Sequence, residues 1–139
     1  MAACVFCSII AGETPAHLVL HDPIAAAFLD ARPLFPGHVL LVPVAHHETL
    51  ADLPPGLIAP FFERVQRMAT VVQRAMAAEG TFVAINNTVS QSVPHLHVHI
   101  VPRTKGDGLK GFFWPRTKYP TEAQAEKVAA TIREAWASG

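Results

Sequence analysis

Two periodicities alternate along this chain. Over residues 54–79, Ile58, Phe61, Phe62, Val65, Met68, Ala69, Val72 and Met76 recur at helical spacing, which predicts one long amphipathic helix with that stripe in the core. Pro54 and Pro55 suit its start and Gly80 its end. Elsewhere the apolar runs are short. Within AHLVLHDPIAAAFLDARPLFPGHVLLVP, runs flank the turn signal HDP and another follows RPLFPG, predicting strands near 17–20, 25–30 and 38–42. TFVAIN (81–86) and HLHVHIV (95–101) predict two more, the last ended by Pro102. Residues 4–10 have room for one or two helical turns closed by Gly12. TEAQ at 121–124 matches a capping box, with Val128, Ala129, Ile132 and Trp136 following as the expected buried stripe of a C-terminal helix. These elements give an α+β fold: about five antiparallel strands, one long helix between the third and fourth, and a C-terminal helix. There is no repeat, low-complexity tract or linker, so residues 1–139 read as a single domain.

HLHVHIV stands out because its alternation is between apolar residues and histidines. The chain has 8 histidines, and three of them, His95, His97 and His99, occupy every second position here. On a strand, residues two apart lie about 6.6 Å apart and share a face. The imidazoles then form a row, with Leu96, Val98 and Ile100 on the other side. A lone buried histidine usually just satisfies its hydrogen bonds. Three on one face of an apolar strand each need a polar partner, which makes a purely structural role a poor account.

Composition narrows the chemistry. Lys plus Arg equals Asp plus Glu, at 11 each, which argues against bulk electrostatic binding to nucleic acid or an acidic membrane. No apolar run approaches 18 residues, so no transmembrane helix is expected. MAACVFCSII lacks the basic and long apolar segments of a secretory signal, so a cytoplasmic protein is expected. Its two cysteines, Cys4 and Cys7, would there be thiols, a redox pair or metal ligands.

Two chemistries fit the histidine row. His-x-His on a strand can chelate a catalytic zinc that activates water, although the strand offers no Asp or Glu to complete a mixed site. Alternatively, a neutral imidazole attacks a phosphate ester or anhydride directly and becomes phosphohistidine. Its neighbours then hold the phosphate oxygens and protonate the leaving group.

QSVPHLHVHIVPR resembles the signature of the histidine triad (HIT) superfamily of nucleotide hydrolases and transferases, and residues 95–101 fit its pattern of alternating histidines fully. CVFCSIIAGETPA, AFLDARPLFPGHVLLVPVAHH and KGDG fall where they do in small bacterial members with an N-terminal cysteine pair. The resemblance implies that His97 is the nucleophile on the α-phosphate, that His99 sits against the phosphate oxygens, and that His38, after PG, supports the charge relay. It implies ribose binding by Asp30, and phosphate or leaving-group contacts by Gln91 and Ser92. It also places an asparagine, Asn86, at the end of the preceding strand as a substrate-binding residue. It further implies a structural zinc on Cys4, Cys7, His46 and His95, with His47 the rival of His46, and no requirement for Mg²⁺. A homodimer is implied as well. The aromatic stretch Phe112, Phe113 and Trp114, in the irregular tail, reads first as core packing, with a place near the partner's site as the alternative. Read without the family, Asp30 is a turn residue or an ion-pair partner, His38 a solvated strand start, and Gln91 and Ser92 ordinary loop residues.

The chain departs from the family pattern in one place. NNTVSQSVPH, between the asparagine and the triad, contains no glycine and is about two residues short, whereas glycine lets backbone approach a phosphate closely. The activity implied is a nucleotide phosphoramidase or hydrolase acting on a purine nucleotide conjugate of AMP or GMP. The alternatives are a dinucleoside polyphosphate hydrolase or nucleotidyl transferase, and, in another class, a nucleotide-binding interaction module with little turnover.

Overall fold

The computed structural model describes residues 3–109 and 116–138. The chain divides after Asp107 into two compact units. The first contains α1 (Val5–Ile10), β1 (Leu18–His21), β2 (Ala25–Leu29), β3 (Val39–Pro43), α2 (Pro55–Ala75), β4 (Gly80–Ile85) and β5 (Val98–Arg103); the second contains α3 (Glu122–Ser138). The strands form one antiparallel sheet in the order β1-β2-β3-β5-β4. This is the α+β arrangement the sequence predicts.

β2 and β3 read AAAFL and VLLVP and are buried almost throughout. Both are central strands covered on both faces, which is why they lack a polar alternation. On one face Ala25, Ala27, Val39, Leu41, Val98 and Ile100 pack against Phe61, Val65 and Val72 of α2. On the other, Ala26, Phe28, Leu40 and Val42 pack against Phe6 and Ile9 of α1. His99 pairs with Leu40 of β3 and Ala84 of β4, so it belongs to the α1 face. A slip of one residue would bury it in the α2 core, so apolar packing fixes where the histidines point.

Several boundaries differ from the sequence reading. β5 starts at Val98, because the Leu96 N–H donates to the His47 carbonyl at 2.6 Å rather than to a strand. Only His99 of the three histidines is therefore on the strand, although the alternation of faces persists. β5 continues through Pro102 to Arg103. Its pairing with β3 stops at Ile100, so Pro102 pairs with Thr81 of β4 alone and faces no described strand on the β3 side. Ile58 and Met76, expected in the core, are exposed. α2 ends before Met76: Ala77 adopts a left-handed φ of 51° and the Ala78 N–H returns to the Gln73 carbonyl at 2.8 Å, a Schellman closure, while Gly80 opens β4. In α3 the Thr121 hydroxyl accepts from the Gln124 N–H at 3.1 Å. No residue of that helix is buried, and Val128, Ile132 and Trp136 are exposed, Trp136 by 87%. α3 is the one helix or strand described in its unit, so no other described element of the unit covers the stripe. Phe112, Phe113 and Trp114 lie outside the described residues.

Gly37 is the glycine with a positional role here. Its φ is +94°, and a Cβ there would lie 2.6 Å from Met76 Cγ. It turns the chain into buried His38, whose N–H donates to the Phe35 carbonyl. Met76 is exposed and can move, so the cost of a side chain is mainly the left-handed backbone. We expect Gly37→Ala to lower unfolding free energy in urea by about 1–2 kcal/mol. A neutral substitution would show that the PGH turn is not held at this φ.

Candidate functional site

Cys4 and Cys7 lie at the start of α1, one turn apart, with the Cys7 N–H donating to Cys4 Sγ at 3.5 Å. His46 follows β3 and His95 precedes β5. The four ligand atoms lie within 4.8 Å of one another. Cys4 Sγ and Cys7 Sγ are 3.4 and 3.5 Å from His95 Nδ1, and Cys7 Sγ is 3.3 Å from His46 Nδ1. Zn–S and Zn–N bonds of about 2.3 and 2.0 Å at tetrahedral angles put sulfur and nitrogen about 3.5 Å apart, so this donor set fits a zinc ion. His95 Nε2–H donates to the Pro43 carbonyl at 2.8 Å, which leaves the Nδ1 lone pair facing the thiols. Burial, reinforced by Cys4, pushes the Cys7 thiol up, so metal binding must displace its proton. His47, the rival ligand, is not in the cluster; its backbone carbonyl holds Leu96 instead.

The same reasoning assigns the other imidazoles, because backbone partners have fixed donor or acceptor character. His97 Nδ1–H donates to the His95 carbonyl at 2.8 Å, so its Nε2 carries a lone pair. The Leu34 N–H donates to His38 Nδ1 at 3.0 Å, so His38 Nε2 carries the proton and gives it to His99 Nδ1 at 3.0 Å. His99 then has an N–H at Nε2. One nucleophilic nitrogen and one donor result, with the His97 and His99 ring centroids 5.0 Å apart. Asp30, His38 and His99 form a second potential metal cluster. There the inward Nε2 of His38 holds a proton rather than a lone pair, and His38 and His99 read as a hydrogen-bonded pair beside Asp30.

His97 and His99 open onto a cleft of about 690 Å³. Val5, Phe6, Ile9 and Phe28 form an apolar wall, and Asp30 and Ser92 add polar groups. Asp30 is the turn residue considered above, its Oδ1 accepting from the Arg32 N–H at 2.9 Å, and its Oδ2 lies 3.6 Å from His38 Nε2. Of the expected loop residues, Ser92 reaches the cleft, while Asn86 is exposed and does not line it. Gln91 braces the loop instead, accepting from the Thr88 N–H at 2.9 Å and donating to the Glu48 carbonyl at 2.6 Å. The missing glycines have a consequence: Thr88 and Ser90 take left-handed φ values of 69° and 62°, which is unusual for a β-branched residue such as threonine. The apolar wall was not read from the sequence. Counting two residues back from Asp30 along β2 would have found Phe28.

Burial pushes His99 down to about 4, with His97 and His38 reinforcing it. Burial also lowers His38, opposed by Asp30. Both imidazoles are therefore neutral near pH 7. With the folded value near 4 and the ordinary value 6.5, the unfolded chain binds more protons between them. This stability is complete above about pH 6.5 and is lost as pH falls toward 4. We expect the melting temperature to fall across that window, and to fall less steeply in His99→Asn. Equal slopes would show that His99 is not a buried neutral group.

A family model described as the HIT domain matches residues 11–106. An uncharacterized HIT-like protein of Mycobacterium tuberculosis is 37% identical over 139 residues, covering 96% of this chain and 93% of that one. Adenylylsulfatase HINT3 of Arabidopsis thaliana is 34% identical over 108 residues, covering 76% and 55%. The asymmetrical bis(5'-nucleosyl)-tetraphosphatase of Schizosaccharomyces pombe is 37% identical over 86 residues, covering 60% and 47%. Among solved structures, a HIT family protein from Bacillus subtilis superposes with a TM-score of 0.84 at 31% identity, covering 96% of each chain. A zinc-bound histidine triad protein from Mycobacterium smegmatis does so with a TM-score of 0.73 at 32% identity, covering 99% and 98%. On its domain match, its relatives and its fold, this chain belongs to the HIT, or histidine triad, family.

Proposed function

We propose that this protein is a nucleotide phosphoramidase or hydrolase that acts at the α-phosphate of a purine nucleotide conjugate through a phosphohistidine on His97. The observation that carries this reading is the His97 ring in the cleft wall, whose Nδ1–H is committed to the His95 carbonyl, which leaves the lone pair at Nε2. Nε2 forms a bond to phosphorus while the bond to the leaving group breaks. The leaving group departs with the bonding pair and takes a proton from solvent. The Nδ1–H···O=C bond offsets the positive charge that develops on the ring. His99 Nε2–H, backed by His38, donates to a phosphate oxygen. Water then attacks phosphorus, the P–N bond breaks, and a proton returns to solvent with the nucleoside monophosphate. The apolar wall of Phe6, Ile9 and Phe28 suits a purine, and the Asp30 carboxylate suits two ribose hydroxyls.

A second reading, a dinucleoside polyphosphate hydrolase, draws on the Schizosaccharomyces pombe relative. It uses the same nucleophile and differs in the leaving group. In both readings Cys4, Cys7, His46 and His95 hold zinc, which contributes folding free energy when bound.

Two experiments check the reading. Turnover of a fluorogenic adenosine phosphoramidate should fall by about three powers of ten or more in His97→Ala, with nucleotide binding retained. Turnover equal to wild type would rule out His97, and loss on chelation with His97→Ala still active would favour a catalytic metal. Separately, elemental analysis should find about one zinc per chain, and Cys4→Ser should lower the melting temperature while slowing turnover less than His97→Ala. A zinc-free protein that takes up none and is no less stable as the serine variant would refute the metal assignment.

A further inference from the structure

The imidazole of a histidine has a broad, roughly two-fold torsional preference about its outer bond. A half-turn of His97 would carry Nδ1 away from the His95 carbonyl and Nε2 out of its place in the cleft. One neutral hydrogen bond is a modest restraint against that. A second contact is present. Phe6, 6% exposed, places its ring 5.1 Å from that of His97 at an interplanar angle of 82°. It also meets His95 at 5.9 Å and 71°. Phe28 backs it at 5.2 Å and 62°. Phe6 cannot easily withdraw, because Cys4 and Cys7 flank it on α1 and converge on His95.

We propose that Phe6 is a positioning residue for His97: its ring, perpendicular to the imidazole, holds the ring plane in which Nδ1 meets the His95 carbonyl and Nε2 faces the cleft. Perpendicular aromatic pairs are favoured by the meeting of a positive edge with a negative face, and an aliphatic side chain of similar volume lacks that preference. The inference rests on His97 being the nucleophile, but its geometric content is a property of the ligand-free protein and can be read without turnover.

The test compares Phe6→Leu with Phe28→Leu, which loosens the same cluster without touching His97, and with Val5→Ala, which trims the cleft wall. Nitrogen NMR of ¹⁵N-histidine-labelled, ligand-free, zinc-loaded protein at pH 8 reports the tautomer of each ring. In Phe6→Leu the His97 signals should move toward the average of the two tautomers, while Phe28→Leu and Val5→Ala keep the wild-type pattern. Turnover should separate kcat from KM, with kcat lowered about tenfold in Phe6→Leu and KM alone raised in Phe28→Leu and Val5→Ala, whose side chains belong to the cleft wall. Phe6→Met, whose flexible chain refills the space, is measured alongside in case the leucine variant does not fold. Wild-type His97 signals in the Phe6 variants, or an equal disturbance in Phe28→Leu, would overturn the proposal. A wild-type protein that shows the expected spectra but no turnover would fail the phosphoramidase reading and leave the positioning role standing.

Discussion

His95 is the residue on which the site depends. Its ring Nδ1 faces Cys4 and Cys7, its Nε2–H is given to the Pro43 carbonyl, and its own carbonyl accepts the Nδ1–H of His97. One fully buried residue thus joins the cysteine pair, the end of β3 and the ring that carries the nucleophilic lone pair. Two of the three bonds run to backbone, so the tautomers of His95 and His97 are set by chain path rather than by solvent. Shifting this segment by one residue would break all three at once, and the Leu96 N–H, given to the His47 carbonyl, anchors it before β5 begins.

The other half of the site works by burial. His38 and His99 share a hydrogen bond away from water, and their lowered basicity keeps both neutral. A neutral pair with defined tautomers presents one N–H to the cleft without placing two adjacent charges beside Asp30. The Leu34 N–H starts this order, and Gly37 makes the turn that lets His38 face it. The row of histidines is therefore divided: His95 serves the cysteine cluster, His97 offers a lone pair and His99 a donor.

Much of this was legible in the sequence. The order and type of elements followed from short apolar runs bounded by turn signals and one long period-3.6 stripe. The Cys-x₂-Cys spacing and the alternating histidines pointed to the residues that cluster at Cys4 and Cys7 and to those that line the cleft. Other features were not legible, for physical reasons. The start of β5 depends on a hydrogen bond to His47, a residue 49 positions upstream of Leu96, and no local pattern encodes it. The choice of His46 over His47 depends on which ring the chain turns toward Cys7. Gln91 was expected near the phosphate, yet in a loop without glycine its side chain satisfies the backbone around Thr88 and Ser90. The stripe of α3 has helical spacing, but periodicity records only which side is apolar and not whether anything covers it.

The central claim is that His97 bonds to phosphorus, and the stereochemistry of the reaction reads it most directly. Each in-line displacement inverts the configuration at phosphorus. Hydrolysis in isotopically labelled water of a nucleotide conjugate made chiral at its α-phosphorus should therefore proceed with overall retention, the sum of two inversions through the His97 adduct. Overall inversion would mean that water attacks phosphorus in a single step, and would contradict the account.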